Sequence, residues 1–92
     1  MEYKITIQGK GGHGSRPDRS INPIDCFAAI YGALQSIDCK IRFVDGGTAN
    51  NIIPDALHFT CTCRNEDSVK QVLEHICKAY RCTFSVNVIV PA

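Results

Sequence analysis

Alternation of apolar and polar residues predicts four β-strands along the chain. The clearest strand is Glu2–Gln8, where Tyr3, Ile5 and Ile7 are apolar and the residues between them are polar. Side chains of a strand alternate between two faces, so this pattern indicates a strand with one buried face. The same alternation predicts strands over residues 39–44, 56–64 and about 83–90. The inward positions predicted for these three strands are Cys39, Ile41, Phe43, Leu57, Phe59, Cys61, Cys63, Phe84, Val86, Val88 and Val90.

Apolar residues at helical spacing predict two helices. The first helix begins with Asn22 as its N-cap and Pro23 at its first position, and it ends near Ser36. The second helix follows Asn65 as its N-cap, and two acidic residues suit the positive end of its dipole. The predicted apolar stripes are Ile24, Phe27, Ala28, Tyr31 and Leu34 on the first helix, and Val69, Val72, Leu73, Ile76, Cys77 and Tyr80 on the second.

The order of these elements predicts the fold class. Strand, helix, strand, strand, helix, strand, each with one apolar face, suits an α+β fold of the ferredoxin-like βαββαβ type. We therefore expect a four-stranded antiparallel sheet with two helices on one face. At 92 residues, the chain is predicted to form a single domain, residues 1–92.

Charge and hydropathy narrow the classes of partner. The net charge is +1, so no bulk electrostatic attraction to nucleic acid or to an anionic membrane is expected. No apolar run approaches the ~20 residues of a membrane-spanning helix. We therefore predict neither a nucleic-acid partner nor a membrane partner.

Six cysteines raise the question of disulfides or a metal site. Most fall on predicted apolar faces, where a free thiol behaves as a small hydrophobe, so free thiols and a reducing, cytoplasmic location are predicted. Zinc is the alternative, since Cys61 and Cys63 point to the same face of one strand. However, no C-x-x-C pair exists and no second ligand pair has suitable spacing, so no metal site is predicted.

The glycine-rich stretch at residues 9–18 is the first candidate for chemistry. Its only imidazole, His13, is flanked by glycines, which allow close approach of a partner. The spacing matches neither a Walker A loop nor a dinucleotide fingerprint. From the residues alone, a presented histidine and a flexible loop with an exposed histidine both remain open.

A second loop, residues 46–55, and the end of the third strand supply further candidates. Asn51 belongs to a paired Asn-Asn that suits turns, but its amide can also donate hydrogen bonds to a ligand oxygen. Arg64 suits either a solvated strand end or a fork for a carboxylate.

Taken together, these motifs resemble a known family. Gly-Lys-Gly-Gly-His-Gly-Ser-Arg-Pro is followed by Asn-Pro-Ile, then by Gly-Gly-Thr-Ala-Asn-Asn-Ile-Ile-Pro-Asp, then by a strand ending in Arg64. This order closely resembles the dimerisation (lid) domain of the M20 metallopeptidases and related amidohydrolases. The resemblance covers roughly residues 3–90, and that domain is also a βαββαβ sandwich.

The resemblance implies roles for three residues. His13 matches a loop histidine that reaches into the active site of a partner subunit, where it hydrogen-bonds the developing oxyanion. Asn51 and Arg64 match residues that hold the substrate, often its carboxylate. The implied partners are a second copy of the chain, a catalytic domain, and a small peptide or N-acyl amino acid substrate.

The same resemblance implies what this chain lacks. The two zinc ions and the general-base glutamate of the family lie in the catalytic domain, so no cofactor is expected in this segment. The chain is therefore expected to be a fragment of a larger zinc-dependent hydrolase and to be inactive alone.

Two other classes of function are the alternatives to a dimerisation and lid domain. A free-standing ferredoxin-like regulatory module that binds a small ligand such as an amino acid would be stabilised by that ligand in isolation. An RNA-binding domain of this fold is disfavoured, because the predicted open sheet face lacks stacking aromatic residues.

Overall fold

The computed structural model describes residues 1–13, 20–47 and 52–89. Its elements, in chain order, are β1 (Glu2–Gln8), β2 (Gly12–His13), α1 (Pro23–Gln35), β3 (Lys40–Asp45), β4 (Ile52–Ile53), β5 (Ala56–Thr62), α2 (Glu66–Ala79) and β6 (Thr83–Ile89). The four longer strands form an antiparallel sheet in the order β3-β5-β1-β6. The predicted α+β ferredoxin-like architecture is confirmed.

Both predicted helix N-caps are present. The Asn22 side chain accepts a hydrogen bond from the backbone N–H of Ile24, and Asn65 accepts one from the N–H of Ser68. Each cap satisfies a backbone donor that has no partner inside the helix. These local signals explain why the helix starts were predictable from sequence.

One core lies between the sheet and the two helices. Phe59 is fully buried at its centre and its ring lies 5.0 Å from that of Phe27 on α1. The buried residues of β1 and β5 are the alternating apolar positions predicted from sequence. They are Tyr3, Ile5, Ile7, Leu57, Phe59 and Cys61, and Cys63 just beyond β5 is buried with them.

Part of the predicted apolar stripe on α1 was wrong. Ile24, Ala28 and Tyr31 are exposed, whereas Cys26 and Ile30 are buried together with the correctly predicted Leu34. This helix is apolar on most of its circumference, so its periodicity did not select one face. Packing against the sheet selected the Cys26–Ile30–Leu34 side and left a second apolar side uncovered.

Phe43 was predicted to face the core and is instead exposed. The β3–β5 register is irregular between Arg42 and Asp45, and Phe43 has a φ of 52°. Such a bulge interrupts strict alternation, so the side chain turns outward. Tyr80 and Val88 were also predicted inward and are exposed, because Tyr80 is the C-cap of α2 and Val88 lies on the edge strand β6. Val90 lies outside the described residues.

The prediction that all cysteines are free thiols was wrong for one pair. Cys39 and Cys63 form a disulfide between the start of β3 and the residue that follows β5. Cys26, Cys61 and Cys77 are free and buried, as predicted for cysteines on apolar faces, and Cys82, which was assigned to no face, is free and buried as well. The separation of 24 residues between Cys39 and Cys63 matches no zinc or disulfide motif. The antiparallel pairing of β3 with β5 is what brings the two cysteines together.

Candidate functional site

The two loops singled out from sequence meet in a short ladder. Gly12 pairs with Ile53 and His13 pairs with Ile52, which makes β2 and β4 a two-stranded antiparallel sheet. The sequence analysis did not predict either strand, because two residues are too few to show a period. The glycine loop and the Asn-Asn loop are therefore one structural unit.

Backbone hydrogen bonds hold this unit against the domain. The Gly9 N–H donates to the Asp55 carbonyl and the Gly11 N–H donates to the Asp55 side chain, each at 2.8 Å. Lys10 and Ile21 exchange two backbone hydrogen bonds of 2.8 Å. These contacts close the base of the loop that carries His13.

Glycine is required at two positions of this base because other backbone atoms approach too closely for a side chain. A Cβ on Gly9 would lie 2.2 Å from the Ile21 carbonyl oxygen. A Cβ on Gly11 would lie 2.6 Å from the Ile53 oxygen and 2.7 Å from Asp55 Oδ1. The neighbouring Gly12 has room among the described residues, since the atom nearest to a Cβ at that position would be the Ser20 Cβ, at 3.4 Å.

We expect Gly11→Ala to separate the two loops while Gly12→Ala leaves them joined. The clash at Gly11 involves backbone atoms that cannot rotate away, so the β2–β4 ladder and the Asp55 contact must give way. Amide hydrogen exchange of Gly12, His13 and Ile53 should become faster in Gly11→Ala by at least about tenfold, equivalent to ~1.4 kcal/mol of local stability. Equal exchange rates in both variants would contradict the requirement for glycine at position 11.

The backbone of His13 is placed in this ladder, and its side chain is not among the described parts of the structure. Asn51 lies outside the described residues, but it is covalently bonded to Ile52, the strand partner of His13. The two candidates that lay 38 positions apart in the chain therefore belong to paired segments.

Arg64 is not brought to this pair within one chain. It follows β5 at the end opposite to Ala56, and the six steps of that strand span roughly 20 Å. There the Nε atom of Arg64 lies 3.2 Å from Oδ2 of Asp38, with both side chains largely exposed. Arg64 thus lies at the end of β5 far from Ala56, and the β2–β4 ladder lies on the side of the chain that leads into Ala56.

His58 is a further candidate residue, which the sequence analysis did not single out. Its Nδ1 lies 2.9 Å from the Thr6 hydroxyl on the open sheet face. It also lines a cleft of about 280 Å³ with Asp45 at the end of β3 and with residues of the second loop, among them Gly46, Ile53 and Asp55. Its position on the outward face of β5 was the only sequence signal, and such positions are usually just solvated.

The described residues offer neither a metal centre nor a reactive thiol. Over residues 1–13, 20–47 and 52–89, no group of three His, Cys, Asp or Glu side chains is placed to hold a metal ion. Burial raises the pKa of Cys26 to about 12 and that of Cys82 to about 11, so both are neutral thiols near pH 7. Neither helix of the described structure is both long and apolar enough to cross a membrane.

Comparison with known proteins places these features in a family context. A family model described as the peptidase dimerisation domain matches residues 1–88. Thermostable carboxypeptidase 2 of Saccharolobus solfataricus is 33% identical over 105 residues, which cover 92% of this chain and 27% of that protein. N-acetylcysteine deacetylase of Bacillus subtilis is 33% identical over 87 residues, covering 80% of this chain and 23% of the enzyme. The chain thus spans about a quarter of the length of these relatives.

Solved structures share the fold. A crystal structure of an amidase of the hydantoinase/carbamoylase family from Burkholderia vietnamiensis superposes with a TM-score of 0.83. The match covers 97% of this chain and 26% of that one at 14% sequence identity. At this identity the likeness speaks for the fold alone.

Proposed function

Since the chain belongs to the peptidase dimerisation domain family of the M20 enzymes, we propose that it is the dimerisation and lid module of a hydrolase that cleaves peptide or N-acyl amide bonds. The observation that carries this proposal is the β2–β4 ladder, which joins the His13 segment to the segment that follows Asn51. We further propose, from the resemblance to the M20 metallopeptidases, that the module works with a catalytic domain that holds two zinc ions.

His13 would act on the reacting carbonyl. A histidine N–H held on an anchored loop is a preorganised donor for the oxyanion that forms when an amide is attacked. The hydrogen bonds from Gly9 and Gly11 to Asp55 fix the loop base and so limit where that ring can go. Asn51 would donate its amide to a substrate oxygen from the paired segment.

Arg64 would bind the carboxylate of the substrate. Its position at the far end of β5 means that it cannot join His13 of the same chain without a large rearrangement. A composite site built from two subunits removes this difficulty, because each subunit can supply a different end of its sheet. The exposed ion pair with Asp38 would be exchanged for the substrate carboxylate at little cost.

The proposed dimer interface is the edge of β3 together with the uncovered side of α1. β3 is an edge strand whose outer backbone groups have no partner in the sheet, and it exposes Phe43 and Val44. α1 contacts β3 and exposes Ile24 and Tyr31. We propose that a second copy covers this surface by antiparallel pairing of two β3 strands across a two-fold axis.

The backbone of Phe43 supports this choice of edge. A bulky residue at a φ of 52° is strained, and such strain typically persists where it serves a function. Here it turns a phenyl ring that is 78% exposed away from the core and toward the open edge. An aromatic anchor at that position suits an interface between copies.

We expect the chain to be a dimer that Phe43→Asn weakens by about 10²-fold in Kd. Each lost anchor costs at least ~1–2 kcal/mol, and two-fold symmetry counts it twice. Asparagine tolerates positive φ, so the variant should fold at least as well as the parent. Light scattering over a range of concentrations gives the Kd.

Val88→Asn on β6 is the matched control for this experiment. Val88 is also an exposed apolar residue, on the opposite edge of the same sheet. Dissociation of the Val88 variant with an unchanged Phe43 variant would assign the interface to β6 and contradict the proposal.

We also propose a cytoplasmic location, on the basis of the four free buried thiols. A reducing compartment keeps such thiols unpaired, whereas disulfides persist mainly in oxidising ones. The Cys39–Cys63 disulfide is compatible with the cytoplasm if it forms and breaks reversibly.

A further inference from the structure

The Cys39–Cys63 disulfide is the direct link between β3 and β5 at one end of the sheet. Lys40 pairs with Thr62, so the two cysteines are the next cross-strand pair, with their Cα atoms 4.5 Å apart. Their backbone N–H groups donate to other segments, Cys39 to the Leu34 carbonyl and Cys63 to the Met1 carbonyl. The sulfur–sulfur bond is therefore what joins the two strands at this position.

Arg64 lies directly beside this bond in the chain. Asp38 precedes Cys39 and Arg64 follows Cys63, and these two side chains form the exposed ion pair of 3.2 Å. An ion pair in solvent contributes little by itself, so it cannot hold the two strand ends together. The covalent link between the neighbouring cysteines ties these ends together beyond the last ladder pair, Lys40 and Thr62.

A surface hollow of about 350 Å³ lies beside this disulfide. Its lining includes Cys63, together with Lys40, Thr62, Asp38 and Arg64. Two of these residues are cationic, and the single carboxylate, Asp38, is already paired with Arg64. A small anion is therefore favoured in the hollow over a neutral molecule or a cation. Cys63 itself is only 3% exposed, which favours a small reagent over a protein.

The nearby free thiol does not compete for the bond. Cys61 Sγ lies 3.6 Å from Cys63 Sγ, within range for exchange. Burial raises the pKa of Cys61 to about 11, so it is protonated near pH 7 and is a poor nucleophile. Reduction of the disulfide therefore needs a thiol from outside.

We propose that the Cys39–Cys63 disulfide is a reversible redox bond that small anionic thiols, such as glutathione, reduce by entering the hollow between Lys40 and Arg64. Reduction releases Arg64 from its position beside Asp38. The redox reaction does not depend on the proposed lid function; only its consequence for substrate binding rests on that function.

The reaction balances as two successive exchanges. A glutathione thiolate attacks Cys63 Sγ and forms a mixed disulfide, and Cys39 leaves as a thiolate that takes up a proton. A second glutathione thiolate attacks the glutathione sulfur of the mixed disulfide and releases oxidised glutathione and the Cys63 thiolate, which is protonated in turn. Glutathione is oxidised by two electrons and the protein disulfide is reduced by two.

The test measures the rate of reduction of the folded 92-residue chain by alkylation and peptide mass spectrometry. All six cysteines are buried in the oxidised chain, so we expect Cys39 and Cys63 to become alkylated together only as reduction loosens their strand ends, while the four free thiols stay protected. Lys40→Gln should slow reduction by glutathione about threefold at low salt, and less at high salt. The reason is that the thiolate form of glutathione carries a net charge of about −2, which the Lys40 ammonium attracts. Reduction by cysteamine, whose ammonium balances its thiolate, should be unchanged.

Lys78→Gln on α2 is the matched control, since it makes the same change of net charge away from the hollow. Equal glutathione rates in the two variants would overturn the proposal, as would alkylation of all six cysteines at once, which indicates global unfolding.

The NMR signal of the Arg64 Nε–H group should also shift between the oxidised and reduced chain. An unchanged signal would show that the bond does not position Arg64. None of these readouts depends on hydrolase activity, so their failure is distinguishable from failure of the proposed function.

Discussion

Replacing His13 by alanine in the complete enzyme that carries this domain is expected to lower kcat by about 10²–10³-fold and to change KM little. The reason is that a preorganised oxyanion donor acts mainly in the transition state, so its loss appears in the rate rather than in ground-state binding. Steady-state kinetics on a peptide or N-acyl amino acid substrate measures both constants. His75→Ala is the control, because this exposed histidine lies on α2 and belongs to neither loop.

Subunit mixing then separates a histidine that acts across the dimer from one that acts within its own chain. His13→Ala subunits are mixed with subunits whose catalytic domain has been inactivated. If His13 acts across the interface, each mixed dimer contains one complete site and activity returns. Activity that stays at the level of the separate variants would contradict the composite site, while a normal rate for His13→Ala alone would remove His13 from the chemistry.

Replacing Phe59 by alanine is expected to lower the free energy of unfolding by about 3–5 kcal/mol. Phe59 is fully buried at the centre of the sheet and packs against Phe27, so truncation removes apolar burial and leaves a cavity. A loss of this size is a large fraction of the ~5–15 kcal/mol typical of a whole domain. Urea denaturation, followed at concentrations where the chain is monomeric, measures the change.

Phe43→Ala is the control of the same residue type. Its ring is 78% exposed, so the same truncation should change monomer stability by no more than about 0.5 kcal/mol. Equal losses for both variants would mean that Phe43 packs into the monomer core and would contradict its assignment to the open edge of β3.

Strand alternation and helix capping explain how much of the fold was readable in advance. Tyr3, Ile5 and Ile7 alternate with polar residues because β1 has one covered face, and the side chains of Asn22 and Asn65 are satisfied by backbone donors within three residues. Signals of this kind depend only on neighbours in the chain. The predictions were wrong where residues close in the chain do not determine which side chains are buried. Ile24 and Tyr31 are examples, because α1 is mostly apolar and either of two faces could have packed against the sheet.

The candidate site was predictable only as residue types in separate motifs. The sequence indicated His13, Asn51 and Arg64 through local composition and family resemblance, but no local pattern related their positions. The pairing of Gly12 with Ile53 and of His13 with Ile52 joins two of these motifs, and the length of β5 separates the third. His58 was not among the predicted site residues. It lines a cleft together with residues 45–47 and 52–56, and only the fold brings these segments together beside it.

The sequence by itself determined the order of the four long strands and two helices, the buried faces of β1 and β5, the helix starts and the family. Each of these depends on the chemistry of residues a few positions apart. Only the tertiary structure decided which side of α1 is buried, that Phe43 points out of the edge strand, and that Cys39 and Cys63 are bonded. These features depend on register and packing between segments distant in the chain, for which a single sequence carries no local signal.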